Sequence, residues 1–251
     1  VNLMLMRRVV VLRRIVVGAA LSVGAASACA QRPDSTAYLL GRFDPATQPE
    51  FALIAPPLAS RTGMYLRRDA LDALTRMATA AAKDGVSLRV VSATRNFDAQ
   101  RAIWDAKWDG RTKVEGRDLS TERDLVKRTR TILTFSAMPG ASRHHWGTDI
   151  DLNALTDSYF TQREGAKVYA WLTTHAASYG FCQPYTAKGA ARPVGHEEEK
   201  WHWSYKPVSG PLLTAYARRI TADSLRGFSG AEQGAIAIRE YVLGVAKACQ
   251  D

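Results

Sequence analysis

The sequence predicts an α+β domain: a small, mostly antiparallel sheet with helices packed on it, followed by a C-terminal helical pair. Three observations carry this prediction. Four segments place apolar residues at helical spacing. Three of them stop at glycine, at Gly85, Gly110 and Gly180. The segments with two-residue alternation are short and lie scattered between the helices.

The chain opens with a segment to set aside before the fold. "MRRVVVLRR" is a basic stretch, "IVVGAALSVGAASA" an apolar run, and "ACA" supplies the small residues that a signal peptidase reads. Residues 1–30 are therefore expected to be a secretory signal, cleaved before Gln31. The apolar run is short against the roughly 20 residues a spanning helix needs, so no stable membrane span is expected after cleavage. Acylation of Cys29 is the alternative anchor. Residues 31–62, rich in Pro, Ala, Thr and Ser, read as an extended lead-in without regular structure, partly wrapped on the domain.

"RRDALDALTRMATAAAKDG", residues 67–85, is the first helix, and "VSLRVVSA" the strand after it. "NFDAQRAIWDAKWDG" is a helix capped near Asn96 or Asp98 and stopped at Gly110. "STERDLVKRTRTILTFSAM" is a third, starting at Ser120 or Thr121. In "TDIDLN", alternation puts Asp149 and Asp151 on one strand face and Ile150 and Leu152 on the other. "EGAKVYAWLTTHAASYG" is a fourth helix. "KWHWSY" places Lys200, His202 and Ser204 on one face and Trp201, Trp203 and Tyr205 on the other. The tail, residues 211–248, reads as two amphipathic helices broken at "GFSG".

The formal charge is +10, and losing Arg7, Arg8, Arg13 and Arg14 with the signal leaves 30 basic and 24 acidic residues, or +6. An exported protein with this charge suits an anionic cell wall and gives no reason to expect nucleic acid as a partner. Of three cysteines, Cys182 and Cys249 remain after the signal, and an even pair in an oxidising compartment suggests a disulfide.

Two stretches carry the chemistry: "SRHHWGTDID", residues 142–151, and "EEEKWHWSY", residues 197–205. A catalytic zinc takes three nitrogen, sulfur or carboxylate ligands and leaves one position open. His144, Asp151 and His202 supply two imidazoles and a carboxylate. Glu199, three residues before His202, is near enough to act as a base without ligating. Gly147 lets the backbone turn between His144 and Asp151.

The pattern S-x-H-x-x-G-x-x-x-D followed by E-x-W-H-W resembles the zinc D-alanyl-D-alanine carboxypeptidases of the hedgehog/D,D-peptidase fold. That group includes the vancomycin-resistance carboxypeptidases and some phage endolysins. The match reads Ser142, His144, Gly147 and Asp151, then Glu199, Trp201, His202 and Trp203. It extends upstream to "VVSATRNFDAQ" and covers about residues 60 to 207. The resemblance implies one zinc on His144, Asp151 and His202, with Glu199 as general base. It implies Arg95 at the oxyanion, with Gln100 and Ser142 contacting the substrate. Two positions depart from it. Asp149 stands where many members carry alanine and is read as supporting the ligands or tuning selectivity. His145 adjoins the presumed ligand and is a competitor for the metal. His175 is assigned no role, and His196 is read as a surface or supporting group. Trp201 and Trp203 are core or cleft-wall residues.

The implied function is removal of the terminal D-alanine from peptidoglycan stem peptides by a periplasmic or secreted monomer. The peptidase domain is expected at residues 63–207, with residues 208–251 packed on it. The alternatives left open are an endopeptidase, an L,D-carboxypeptidase or a D,D-dipeptidase with the same site, and a non-catalytic zinc-containing wall-binding module.

Overall fold

The computed structural model describes Val1 and residues 35–250. The signal segment, its cleavage before Gln31 and the acylation of Cys29 rest on residues outside those described.

The lead-in is not irregular, as the sequence reading expected. It carries α1 (Thr36–Leu39), capped by the Ser35 side chain, a 3-10 turn over Pro45–Thr47 capped by Asp44, and β1 (Phe51–Leu53). β1 pairs antiparallel with β2 (Tyr65–Arg67). Tyr38, Leu39 and Phe51 are buried in the core, and their burial fixes the segment. Elements of three and four residues are too short to show a period, so composition alone suggested a loop.

α2 (Arg68–Lys83) buries Ala70, Ala73, Leu74, Met77 and Ala81, the stripe its periodicity predicts. β3 (Val90–Ser92) is the core of the predicted strand. α3 (Phe97–Trp108) starts where Asn96 Oδ1 accepts from Ala99 N at 2.9 Å. α4 (Leu125–Leu133) starts later than expected. Asp124 caps it, accepting from Lys127 N at 3.0 Å, while Ser120 and Thr121 lie in a separate 3-10 turn capped by Asp118. Two cap residues compete in "DLSTERD", and the nearer aspartate sets the helix.

β4 (Asp149–Leu152), α5 (Asp157–Phe160) and α6 (Arg163–His175) follow, and a 3-10 turn then reaches Gly180 at φ +83°. β5 (Phe181–Cys182) and β6 (His202–Tyr205) complete a four-stranded antiparallel sheet ordered β3-β4-β6-β5. α7 (Lys206–Arg219) begins before the predicted tail helix. The break after it runs to α8 (Gly234–Ile236), which continues as a π turn over Ala237–Val242. Among the described residues no helix is long and apolar enough to cross a membrane.

The β4–β6 register positions the site. Asp149 lies opposite Ser204 and Asp151 opposite His202, so all four side chains share one sheet face. On the other face Ile150, Leu152 and Trp203 pack with Leu74, Met77 and Leu172. A second core is built from Trp104, Trp146, Leu213 and Tyr216, and all four residues of β4 are buried. Both faces of β4 are thus buried, which explains why its polar residues need internal partners.

Cys182 and Cys249 are disulfide-bonded, with Cα atoms 5.6 Å apart, and this staples β5 to the tail across a sequence separation of 67. Loop-closure entropy at that length is worth about 4 kcal/mol. A Cys249→Ser variant is expected to unfold at clearly lower urea concentration than the parent. Equal midpoints for the variant and the oxidised parent would remove the disulfide's stabilising role.

Candidate metal centre and active site

His144 reaches the site on a 3-10 turn, Arg143–Trp146, that ends at Gly147 with φ +71°. A Cβ there would collide with the Phe51 ring, so glycine is required by both conformation and space. His144 Nδ1 lies 2.9 Å from the Ala93 carbonyl and must donate to it. Nε2 is then unprotonated in the neutral ring and faces Asp151 Oδ2 at 3.3 Å. Burial, then the neighbouring Arg95, lowers the His144 pKa and favours that neutral form.

His202 is held from the opposite side. Its Nε2 lies 2.9 Å from Asp149 Oδ2, which leaves Nδ1 facing Asp151 Oδ1 at 3.3 Å and Glu199 Oε2 at 3.1 Å. Asp149 is fully buried and also accepts from Arg143 Nε at 2.9 Å, Ser204 Oγ at 2.7 Å and Thr148 Oγ1 at 2.7 Å. Burial pushes its pKa up, but Arg143 and the imidazoles outweigh this and hold it far below the carboxylate range. Arg143 itself is buried over the Trp146 ring, 4.8 Å from its centroid. A carboxylate orienting a histidine in this way is the usual support for a metal ligand.

His144, Asp151 and His202 each offer a ligand atom, and these atoms lie within 4.8 Å of one another. Asp151 Oδ1 is buried and accepts no hydrogen bond, a donor that a cation would satisfy. Two nitrogens and a carboxylate fit zinc in kind and number.

Glu199 comes inward on a turn in which His202 N donates to Glu199 O at 3.2 Å. The turn is anchored by Glu199 N donating to Tyr185 O at 2.9 Å and Gln183 Nε2 donating to Glu199 O at 3.2 Å. Burial raises the Glu199 pKa, which makes this carboxylate a stronger base than an exposed glutamate.

Burial opposes a charge on His202, yet hydrogen bonds to Asp149 and Glu199 and the field of Asp151 raise its pKa to about 10. Without metal, Nδ1 therefore carries a proton at pH 7, and binding a cation there must expel it. Zinc titration in two buffers of different ionisation enthalpy is expected to show release of about one proton. Affinity should rise with pH below 10. Equal heats in the two buffers would contradict the protonated state.

A cleft of about 570 Å³ opens over these groups and is lined by Arg95, Gln100, Ser142, Tyr185, Glu199 and Trp201 among others. A larger cavity, about 640 Å³ beside the disulfide, is lined by no histidine or carboxylate. Arg95 Nη1 is 3.8 Å from Asp151 Oδ2 and donates to Ser92 Oγ at 2.6 Å. Gln100 accepts from Arg95 Nε at 2.9 Å and donates to Ala137 O at 2.7 Å. Its oxygen thus holds Arg95, and its NH2 group is tied to the Ala137 carbonyl. Ser142 is buried on the cleft wall, and its Oγ has no hydrogen-bond partner.

The remaining histidines separate cleanly. His145 points away from the metal ligands: its Nε2 accepts from Gly140 N at 3.0 Å and its Nδ1 donates to Arg95 O at 2.6 Å. It fixes the Arg95 backbone and does not compete for the metal. His196 is not a surface group. It is buried, with its ring edge-on to Tyr185 and Tyr241 at 4.7 and 5.0 Å. His175 is exposed and rests on Trp171, outside the cleft. Of the two tryptophans, Trp201 borders the cleft and Trp203 does not. Sequence reasoning missed Arg143, Tyr185 and Lys107. An arginine beside a ligand histidine was the one available signal, for Arg143.

The profile of the VanY family, D-alanyl-D-alanine carboxypeptidase, matches residues 63–208. YodJ of Bacillus subtilis is 29% identical over 147 residues, 56% of this chain and 46% of that protein. A D-alanyl-D-alanine carboxypeptidase of Enterococcus faecalis is 30% identical over 126 residues, 50% of this chain and 42% of that one. The chain spans less than half the length of these curated relatives. Among solved structures, the LdcB LD-carboxypeptidase superposes with a TM-score of 0.50 at 23% identity, covering 72% of this chain and 81% of that chain, a likeness of fold alone. A variant VanY solved in complex with Zn(II) gives 0.47 at 23% identity, over 70% and 89%. On the match across residues 63–208, the chain belongs to the VanY family of D-alanyl-D-alanine carboxypeptidases.

Proposed function

We propose that the chain is an exported, zinc-dependent carboxypeptidase that removes the terminal D-alanine from peptidoglycan stem peptides. The observation that carries this reading is the convergence of His144 Nε2, Asp151 and His202 Nδ1 beneath an open cleft, with buried Glu199 3.1 Å from His202 Nδ1. His144, Asp151 and His202 would hold the zinc, which when bound polarises a peptide carbonyl and acidifies a water. Glu199 takes the proton from the attacking water on Oε2 and delivers it to the departing amine of D-alanine. Arg95, held by Gln100 and Ser92, donates to the oxygen that becomes negative. Ser142 offers its unpartnered hydroxyl to the substrate backbone. Gln100 acts as a positioning residue for Arg95, in place of the direct substrate contact expected from the resemblance.

The disulfide and the family's substrate support an exported protein. The proposed ligands and Glu199 all fall within residues 63–207. The flanking segments belong to the same folding unit, because Tyr38 and Tyr216 share one core.

The test is mass spectrometry of the products when the purified chain, with zinc or with chelator, meets a pentapeptide ending in D-Ala-D-Ala. Zinc-dependent loss of one alanine is expected. Loss of the dipeptide or cleavage further in would keep the site and change the bond. Turnover unaffected by chelator would overturn the zinc reading.

A further inference from the structure

α3 presents three residues to the cleft at helical spacing: Gln100, Ile103 and Lys107. Gln100 is occupied with Arg95, but Lys107 is not accounted for by the proposed chemistry. Its Nζ donates to Ser136 Oγ, and no carboxylate among the described residues forms an ion pair with it. Ser136 is buried on the same cleft wall, and its hydroxyl proton has no acceptor among the described residues. The two arginines that line the cleft are paired with carboxylates, Arg95 with Asp151 and Arg143 with Asp149, whereas Lys107 donates only to a hydroxyl. Burial, then the field of Arg95, lowers the Lys107 pKa, and the field of Glu199 offsets only part of this. Two large apolar residues flank it and line the cleft although 38% and 44% exposed, Ile103 and Phe135.

We propose that Lys107 and Ser136 form a carboxylate-recognising subsite of the cleft, separate from the carbonyl oxygen assigned to Arg95. The inference rests on reading the cleft as a peptide-binding site. Lys107 supplies free N–H donors and charge, Ser136 supplies an O–H donor, and Ile103 and Phe135 pack on the aliphatic atoms that carry the carboxylate. Its source is either the peptide's terminal carboxylate or a side-chain carboxylate on the residue before D-Ala-D-Ala.

Calorimetric titration of the full chain under chelator separates binding from cleavage. The probes are acetylated tripeptides X-D-Ala-D-Ala, with X either diaminopimelate or lysine, which differ by one carboxylate, and the diaminopimelate peptide as its terminal amide. The parent is expected to bind the fully acidic peptide roughly tenfold more tightly than one of the other two. Lys107→Met should reduce that preference to near one, and Lys107→Arg should keep it. Preference over the lysine peptide identifies the side-chain carboxylate, and preference over the amide the terminal one. Equal weakening of all three peptides by Lys107→Met, an unchanged preference, or no binding by any peptide overturns the subsite. Cleavage with zinc reads the proposed function separately, so the two ideas fail independently.

Discussion

The Glu199→Gln protein is expected to bind one equivalent of zinc as tightly as the parent and to lose on the order of 10³-fold in kcat. Glutamine keeps the size and the backbone anchors of the turn, since those bonds run through the peptide groups of residue 199 and not its side chain. What it loses is the ability to take and return a proton. The parent carboxyl is suited to that exchange because burial raises its pKa. KM should change little, because the side chain acts on the water and the amine and not on the bound peptide. Zinc content by atomic absorption and turnover on a D-Ala-D-Ala peptide give the two readouts. Loss of both zinc and activity would make Glu199 a ligand. Retained activity would remove it as the proton carrier.

Asp149→Asn is expected to have two separable effects. Asp149 and Arg143 are both buried, and their 2.9 Å pair is the main compensation for the guanidinium charge. Removing one partner of such a pair costs about 3–5 kcal/mol, seen as a fall in unfolding free energy. The same carboxylate orients His202, so zinc affinity should fall about 10–100-fold. Adding Arg143→Met to Asp149→Asn removes the stranded charge and should recover part of the stability. It should not recover the affinity, because nothing restores the anionic partner of His202 Nε2. Full zinc affinity in the single variant, or no loss of stability, would separate Asp149 from the role its contacts give it.

The strand face that carries Asp149, Asp151, His202 and Ser204 was legible in the sequence because two-residue alternation fixes the face without any knowledge of the fold. The set His144, Gly147 and Asp151 was legible from its residue types and from the motif it resembles, not from alternation. The inward turn of Glu199 was not, since Tyr185 and Gln183 from a different segment build it. His145 and His144 are neighbours in sequence, yet a 3-10 turn sends them to opposite sides, one to Ala93 and Asp151 and the other to Gly140 and Arg95. The motif position of Gln100 was visible in the sequence, but its partners Arg95 and Ala137 O were not. The short elements of the lead-in went unread for a related reason: Tyr38 and Phe51 are fixed by burial against residues far along the chain, and no local period announces that. Tertiary partners decided each of these outcomes.

The most direct test of the account is reconstitution. The chain is stripped with chelator, zinc is added back in fractions of an equivalent, and turnover on a D-Ala-D-Ala peptide is followed at each step. Negligible turnover is expected without metal, then a linear rise that ends at one zinc per chain, while His202→Ala stays inactive throughout. Full turnover in the stripped protein would contradict it, and so would undiminished zinc-dependent turnover in the His202→Ala protein.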